Sequence, residues 1–201
     1  MWFFALFLVL GPALALIGAG AGAPRRAPEA VVPAPSQDAP RFTDDGRLVR
    51  PENHRTWVFV GSSFAMSYAE EGPARQNFHN VYIHPRAFEA FRRTGLFPEG
   101  TILMLETFSA ASQAAIAREG HFQDRAVGLS AAVKDTARFQ EGWAYFGFGA
   151  AMPSAAEPAK AFAKDACWSC HKKHAERDNV FVQFYPVLRD AAPAPARKTS
   201  R

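Results

Sequence analysis

The stretch Thr101-Ile-Leu-Met-Leu-Glu-Thr-Phe108 is the longest of five segments rich in β-branched and aromatic residues. Segments of this kind predict β-strands when turn residues bound them, as Pro98-Glu99-Gly100 does here. The other four predicted strands are residues 56–60, 78–83, 127–133 and 143–148. The sequence therefore predicts a sheet of five strands.

Two helices are predicted beside the strands. Residues 85–95 begin with a proline and end with a glycine, which are typical helix boundaries. Residues 155–174 carry alanines and Phe162 at helical spacing. Strands followed by a closing helix predict an α+β fold, with an antiparallel β-sheet packed with helices. This order of elements disfavours a four-helix bundle.

The two ends of the chain differ in composition from its middle. Residues 2–23 carry no charge and end in small residues, so residues 1–23 are predicted to be a signal peptide or an N-terminal anchor. Residues 24–40 are rich in proline and alanine and predict a linker, and residues 190–201 predict a flexible basic tail. The folded domain is predicted over residues 41–189, and either form of the first segment implies export to the periplasm.

Composition excludes several classes of protein. The chain has 201 residues and a formal net charge of +4, and part of the positive charge lies in the tails. Because no basic segment in the middle of the chain alternates with aromatic residues, we expect no nucleic-acid partner. The two cysteines are too few for a disulfide-dense scaffold or a four-cysteine zinc module.

Both cysteines stand in Cys167-Trp-Ser-Cys170-His171, the attachment pattern for c-type haem. Two thiols three residues apart on a helix share a face, so each can bond to one haem vinyl group, and His171 can serve as the proximal iron ligand. The alternatives are a thioredoxin-like redox pair, a structural disulfide or chance. A redox pair would favour a strand-to-helix context, so the sequence predicts one covalent haem c per chain.

The ligand on the other side of the iron distinguishes the functional classes. An electron carrier needs a second strong ligand, commonly Met or His, whereas a gas binder leaves that position open. No methionine follows the haem motif, Met104 is expected in the core, and His174 lies on the same helix as His171. The remaining candidate histidines, each more typical of a surface or hydrogen-bonding position, are His79, His84 and His121.

Seven further segments resemble, in order, the cytochrome P-460 and cytochrome c′-beta family. They are Trp57-Val-Phe-Val-Gly61, Val81-Tyr-Ile-His-Pro85, Arg93-Thr-Gly-Leu-Phe-Pro-Glu-Gly-Thr101, Val133-Lys-Asp135, Arg138-Phe139, Gly142-Trp-Ala-Tyr-Phe146 and Asp178-Asn-Val-Phe-Val-Gln-Phe-Tyr-Pro-Val-Leu-Arg189. The resemblance covers residues 41–189. It implies an exported homodimer in which each sheet packs with helices around one c-type haem that has an open distal site.

The resemblance also implies a choice between two branches. Cytochromes P-460 oxidise hydroxylamine with a haem crosslinked to a lysine, and the corresponding residue here is Leu105, which has no amine. Lys134 is interpreted instead as one partner of an ion pair or polar contact near Asp135. Cytochromes c′-beta lack the crosslink and bind nitric oxide and carbon monoxide beneath phenylalanine caps, for which Phe64 and Phe97 match by position.

Strand alternation places Glu106 on the sheet face opposite Leu105, so no distal proton acceptor is assured. These observations predict a mono-haem cytochrome whose five-coordinate haem binds nitric oxide and carbon monoxide at an apolar distal site. One alternative is a hydroxylamine- or nitric-oxide-converting oxidoreductase of the cytochrome P-460 type. The other is a periplasmic electron-transfer cytochrome with a redox partner.

Overall fold

Five antiparallel strands form one sheet in the computed structural model, which describes residues 39–67, 75–113, 116, 118–149 and 157–193. Each strand pairs with the next along the chain, so the order in the sheet is the order in the sequence. The strands are β1 (Val58–Phe64), β2 (Asn77–Ile83), β3 (Ile102–Ala111), β4 (Phe122–Lys134) and β5 (Trp143–Gly147). The five predicted strands and the α+β class are confirmed.

Three α-helices accompany the sheet in the described residues, namely α1 (Pro85–Thr94), α2 (Trp168–His174) and α3 (Pro186–Ala191). Short 3-10 turns lie at His54–Thr56, Lys164–Ala166 and Val182–Phe184. The predicted helix 85–95 is confirmed as α1. Its glycine takes the left-handed conformation that commonly ends a helix, with φ 72° at Gly95.

The predicted helix over residues 155–174 is wrong in its first half. Residues 157–163 are extended, and α2 begins only at Trp168. The Ala159 backbone exchanges two hydrogen bonds with Leu48, at 2.8 and 2.9 Å, and Ala161 forms a bridge with Phe146. These partners outside the segment satisfy the backbone groups that a helix would otherwise pair internally.

The two faces of the sheet pack against different parts of the chain. We call them the C-terminal face and the N-terminal face, after the end of the chain that contributes to each covering. The C-terminal face is covered by α1 and by residues 180–192, and its core includes Val81, Leu103 and Tyr145. The N-terminal face is covered by Leu48 and Ala159, and its core includes Ile102, Met104, Leu129 and Phe146. Alternate residues of β2 to β5 therefore enter two separate cores.

The predicted limits of the domain are residues 41 and 189, and the described residues begin at 39 and end at 193, past both limits. Helix α3 continues to Ala191, and Ala192 packs against the core of the C-terminal face, so residues just beyond 189 also contact the core. The predicted signal or anchor, most of the linker and residues 194–201 of the predicted tail lie outside the described residues. Within the described ranges, no helix has the length and hydrophobicity needed to cross a membrane.

Candidate functional site

Helix α2 begins with the cysteine motif. Cys167 is the N-cap residue, and its carbonyl accepts the first helical hydrogen bond from the His171 backbone N–H at 3.1 Å. Cys170 is exposed, Cys167 is half-buried, and both are free thiols. Burial raises the pKa of the Cys167 thiol. The indole of Trp168 donates to the Glu141 carbonyl at 3.2 Å and so attaches the helix start to the loop before β5.

The His171 imidazole is held in one orientation. Its ring lies between Tyr145 and Phe181, with centroid distances of 4.4 and 4.5 Å. Its Nδ1 is 2.8 Å from the Asn179 carbonyl oxygen. Because a carbonyl only accepts hydrogen bonds, Nδ1 carries the proton and Nε2 keeps a lone pair for a metal. Burial lowers the pKa of His171, against a smaller opposing effect of the Asn179 carbonyl, and so favours the neutral imidazole that can bind a metal.

A two-residue turn presents the Asn179 carbonyl to His171. Arg177 and Val180 exchange both backbone hydrogen bonds, at 2.8 and 3.4 Å, and the two residues between them have positive φ, 44° at Asp178 and 60° at Asn179. This is the pattern of a type I′ turn, for which Asp and Asn are among the favoured residues. The sequence predictions missed the role of Asn179, although the Asp-Asn pair shortly after the cysteine motif is a recognisable turn signal.

A cavity of about 190 Å³ lies between the C-terminal face of the sheet and His171. Its wall is mostly apolar and includes Val81, Leu103, Leu105, Ala132, Val180, Phe181 and Cys167. Polar groups enter at Ser130, Tyr145 and Asn179. The structure therefore brings three predicted site residues together, namely Cys167, His171 and Leu105. Pockets that enclose drug-sized ligands usually measure about 300–1,000 Å³, so this cavity is smaller. A haem macrocycle would therefore extend beyond the mouth of the cavity.

The two predicted phenylalanine caps lie away from this cavity wall. Phe97 is 2% exposed and stacks on Phe91 at 4.4 Å, within the core of the C-terminal face. Phe64 is 38% exposed and contacts Phe78 and His121, at 4.7 and 4.8 Å. Their role as distal caps stays a prediction.

Lys134 has a different partner from the one predicted. Its Nζ is 2.7 Å from the Asp178 carboxylate and donates to the Phe97 carbonyl at 2.8 Å. Asp135 pairs instead with Arg138, at 3.5 Å. Asp135 lies just past the end of β4, and its carboxylate also accepts from the Arg138 backbone N–H at 2.9 Å, whereas the turn at Asp178 lies beside the end of β4.

The other candidate iron ligands have different surroundings from His171. Met104 is fully buried in the core of the N-terminal face, as predicted. His84 caps α1, His121 stacks on Phe64, and His79 is half-buried in β2. None of these three histidines lies among the described residues that line the cavity.

Glu106 lies on the opposite face from Leu105, as strand alternation predicts. Its carboxylate is 2% exposed and is bound by His54 Nε2 at 2.9 Å, Arg55 Nε at 2.6 Å and Tyr82 OH at 3.3 Å. Among the described residues that line the cavity there is no Asp, Glu or Lys. The buried carboxylate is therefore separated from the cavity by the sheet.

The donor set of the site fits a c-type haem. Two thiols flank the first turn of α2, one imidazole nitrogen is free for iron, and the cavity wall is mostly hydrocarbon. The side-chain nitrogen of Asn179 is buried, and no described residue provides it with a hydrogen-bond partner. A buried donor beside a cavity needs an acceptor, which the carboxylates of a haem can supply.

Comparison with known proteins gives one family. The model of the family Cytochrome P460 matches residues 51–182, more than half of the chain, from the segment before β1 to the turn after α2. No curated protein matches the sequence. The matched residues include the whole sheet, both cysteines, His171 and Asn179.

Proposed function

The chain belongs to the cytochrome P460 family, a family of haem proteins, and from this premise we propose that it is an exported c-type cytochrome that binds nitric oxide and carbon monoxide. Its haem is covalently attached, one per chain, and five-coordinate. The observation that carries the proposal is the geometry of His171. The Asn179 carbonyl holds Nδ1 at 2.8 Å, so one nitrogen is left for iron beside a mostly apolar cavity.

Each residue of the site has a defined part in this function. When bound, a haem supplies an iron atom that takes a diatomic gas at its sixth position. Cys167 and Cys170 anchor the group, and His171 Nε2 is its protein ligand. Tyr145 and Phe181 pack on the imidazole and keep its plane fixed. The mostly apolar wall disfavours water, because few of its groups can form a hydrogen bond with a solvent molecule.

Leu105 favours gas binding over the oxidation of hydroxylamine. Its side chain lies in the wall of the cavity that contains His171 and Cys167, at the position where the resemblance places the crosslinking lysine. A leucine has no amine with which to form that bond. Lys134 does not replace it, because its Nζ is already bound to Asp178 and the Phe97 carbonyl.

An electron-transfer role has less support. A low-spin electron carrier needs a Met or a second His on the iron. Met104 is among the residues that border the cavity, but it is fully buried in the core of the opposite face, and its strand neighbours Leu103 and Leu105 face His171. The described part of the cavity therefore offers no second ligand of the usual kind.

Export and assembly belong to the same proposal. The apolar first segment supports a periplasmic location, and the resemblance supports a homodimer. A periplasmic redox partner belongs to the electron-transfer alternative. Sedimentation velocity of the purified holoprotein tests the assembly: a mass of two chains is expected, and a monomer at all concentrations would contradict it.

The absorption spectrum of the ferrous holoprotein, recorded before and after addition of carbon monoxide, tests the function. We expect a broad high-spin spectrum that shifts with carbon monoxide. A sharp low-spin spectrum indifferent to the gas would identify an electron carrier, and a strongly red-shifted band that survives denaturation would identify a crosslinked haem.

A matched pair of histidine variants tests the assignment of the ligand. His171→Ala should lose the five-coordinate spectrum, because the imidazole bound to Asn179 is removed. His174→Ala, three residues later on the same helix, should keep it. Equal spectra for both variants would show that His171 is not the iron ligand.

A further inference from the structure

We propose that Lys134, Asp178 and Trp143 form a clamp that positions the proximal ligand and thereby sets its strength as a donor to iron. The inference rests on the proposed function, since it assigns these three residues a role toward the haem that His171 would hold. They act through the turn at Asp178 and Asn179, and none of the three touches the iron. They are positioning residues of the site.

The clamp uses both oxygens of one carboxylate. Asp178 Oδ2 is 2.7 Å from Lys134 Nζ, and its Oδ1 accepts from the Trp143 indole N–H at 3.1 Å. The ion pair is partly shielded from solvent, because the Lys134 side chain is 17% exposed and the Asp178 side chain 31%. The ammonium also donates to the Phe97 carbonyl at 2.8 Å, so its position is fixed from two sides. A shielded, hydrogen-bonded ion pair is weakened less by solvent than a surface pair.

The clamp is attached to the rigid part of the fold. Lys134 is the last residue of β4 and Trp143 the first residue of β5, and the two are directly paired in the sheet. Trp143 is buried in the core of the C-terminal face, where its ring contacts Phe97. The sheet therefore fixes the place at which the Asp178 carboxylate binds.

The carboxylate in turn fixes the backbone that holds His171. Asp178 and Asn179 both occupy the left-handed region, which non-glycine residues keep only where their surroundings hold them. The clamp holds Asp178 through its carboxylate. The Tyr145 hydroxyl donates to the Asn179 carbonyl at 3.3 Å. The same carbonyl accepts from His171 Nδ1 at 2.8 Å, so movement of Asp178 would displace the acceptor of the imidazole proton.

This geometry has an electronic consequence. A metal-bound imidazole that donates its other N–H to a well-placed acceptor is a more basic ligand. A stronger donor stabilises ferric iron relative to ferrous iron and strengthens the bond between iron and histidine. Release of the clamp should therefore raise the reduction potential and lower the iron–histidine stretching frequency.

Two variants of the full-length holoprotein test the clamp. Asp178→Asn removes the charge but keeps an oxygen acceptor for Trp143 and a residue suited to the left-handed turn. Lys134→Met removes the ammonium and keeps an unbranched side chain of similar length. Each should raise the reduction potential and lower the iron–histidine frequency in the resonance Raman spectrum of the ferrous protein. The double variant should shift both quantities no further than the larger single shift, because both substitutions break the same contact.

Controls separate positioning from stability. Glu89→Gln breaks an exposed ion pair with Arg92 on α1, at 3.1 Å, and should change neither quantity. Lys134→Arg keeps the positive charge and should recover most of the wild-type potential. Loss of stability in both test variants with an unchanged potential and frequency would overturn the proposal. A low-spin spectrum of the wild type would refute five-coordination, but the potentials of the variants would still test the clamp.

Discussion

His79 is a titratable residue that lies outside the site and is half-buried, without an acidic partner in the described contacts. Burial lowers the pKa of this imidazole, because the charged form loses hydration. Its folded pKa is therefore below the unfolded value of about 6.5. The neutral form is favoured in the folded chain, so the associated stability is present above that value and is lost as the pH falls.

The substitution His79→Gln should therefore flatten the acid side of the stability profile. The variant carries no titratable group at this position, so its free energy of unfolding should fall less than that of the wild type between pH 7 and about 5. Urea unfolding at a series of pH values measures the difference. Asn77→Gln, on the same strand, should keep the wild-type slope; parallel profiles for His79→Gln and the wild type would contradict the prediction.

At the scale of elements, α1 is joined to the turn that carries Asn179. Gly95 ends α1 with φ 72°, and its carbonyl accepts from Arg177 Nη1 at 3.1 Å. A Cβ added at Gly95 would lie 2.9 Å from the same nitrogen. Gly46 has a similar φ of 78°, but a Cβ there would meet no atom within 4 Å. A substitution at Gly46 therefore tests backbone strain alone, and one at Gly95 tests backbone strain together with steric contact.

The substitution Gly46→Ala should cost about 1 kcal/mol of unfolding free energy, the usual penalty for a left-handed alanine. Gly95→Ala should cost more, about 2 kcal/mol, because Arg177 must also move and lose its bond to the helix end. Urea unfolding of both variants measures the two values. Equal losses would show that the contact between α1 and Arg177 contributes nothing.

The success of the sequence predictions depended on how local each signal was. Helix α1 was predictable because Pro85 and Gly95 mark its ends within the segment itself. Residues 157–163 were not, because small residues at helical spacing also suit an extended segment. Its partners, Leu48 and Phe146, are distant in the sequence, so the hydrogen bonds that decide its structure leave no local pattern.

The same distinction applies to the site. The two thiols and His171 were predictable because five consecutive residues specify them. Leu105 was placed by the resemblance and does line the cavity. The hydrogen bond of Asn179 to the imidazole and the partner of Lys134 were not predictable, because both depend on where the turn at 178–179 meets the sheet.

At the scale of the whole molecule, the sheet separates the cavity beside His171 from much of the hydrophobic core. Leu103 and Leu105 face His171, whereas Met104 and Glu106 face the N-terminal segment. Both cores contribute to the stability of the domain, but most of the residues that line the cavity belong to the core of the C-terminal face. Stability and ligand binding should therefore respond differently to substitutions on the two faces.

The leucines Leu48 and Leu103 provide a matched test of this separation. Both are buried, Leu48 in the core of the N-terminal face and Leu103 in the wall of the cavity. Truncation of either to alanine should cost about 2–5 kcal/mol of unfolding free energy, as expected for buried leucines. Leu48→Ala should leave the haem spectrum and the rate of carbon monoxide association unchanged, because the sheet lies between it and the pocket. Leu103→Ala should change the association rate, because it enlarges the cavity beside His171. An equally altered rate in the Leu48→Ala variant would show that the sheet does not isolate the cavity.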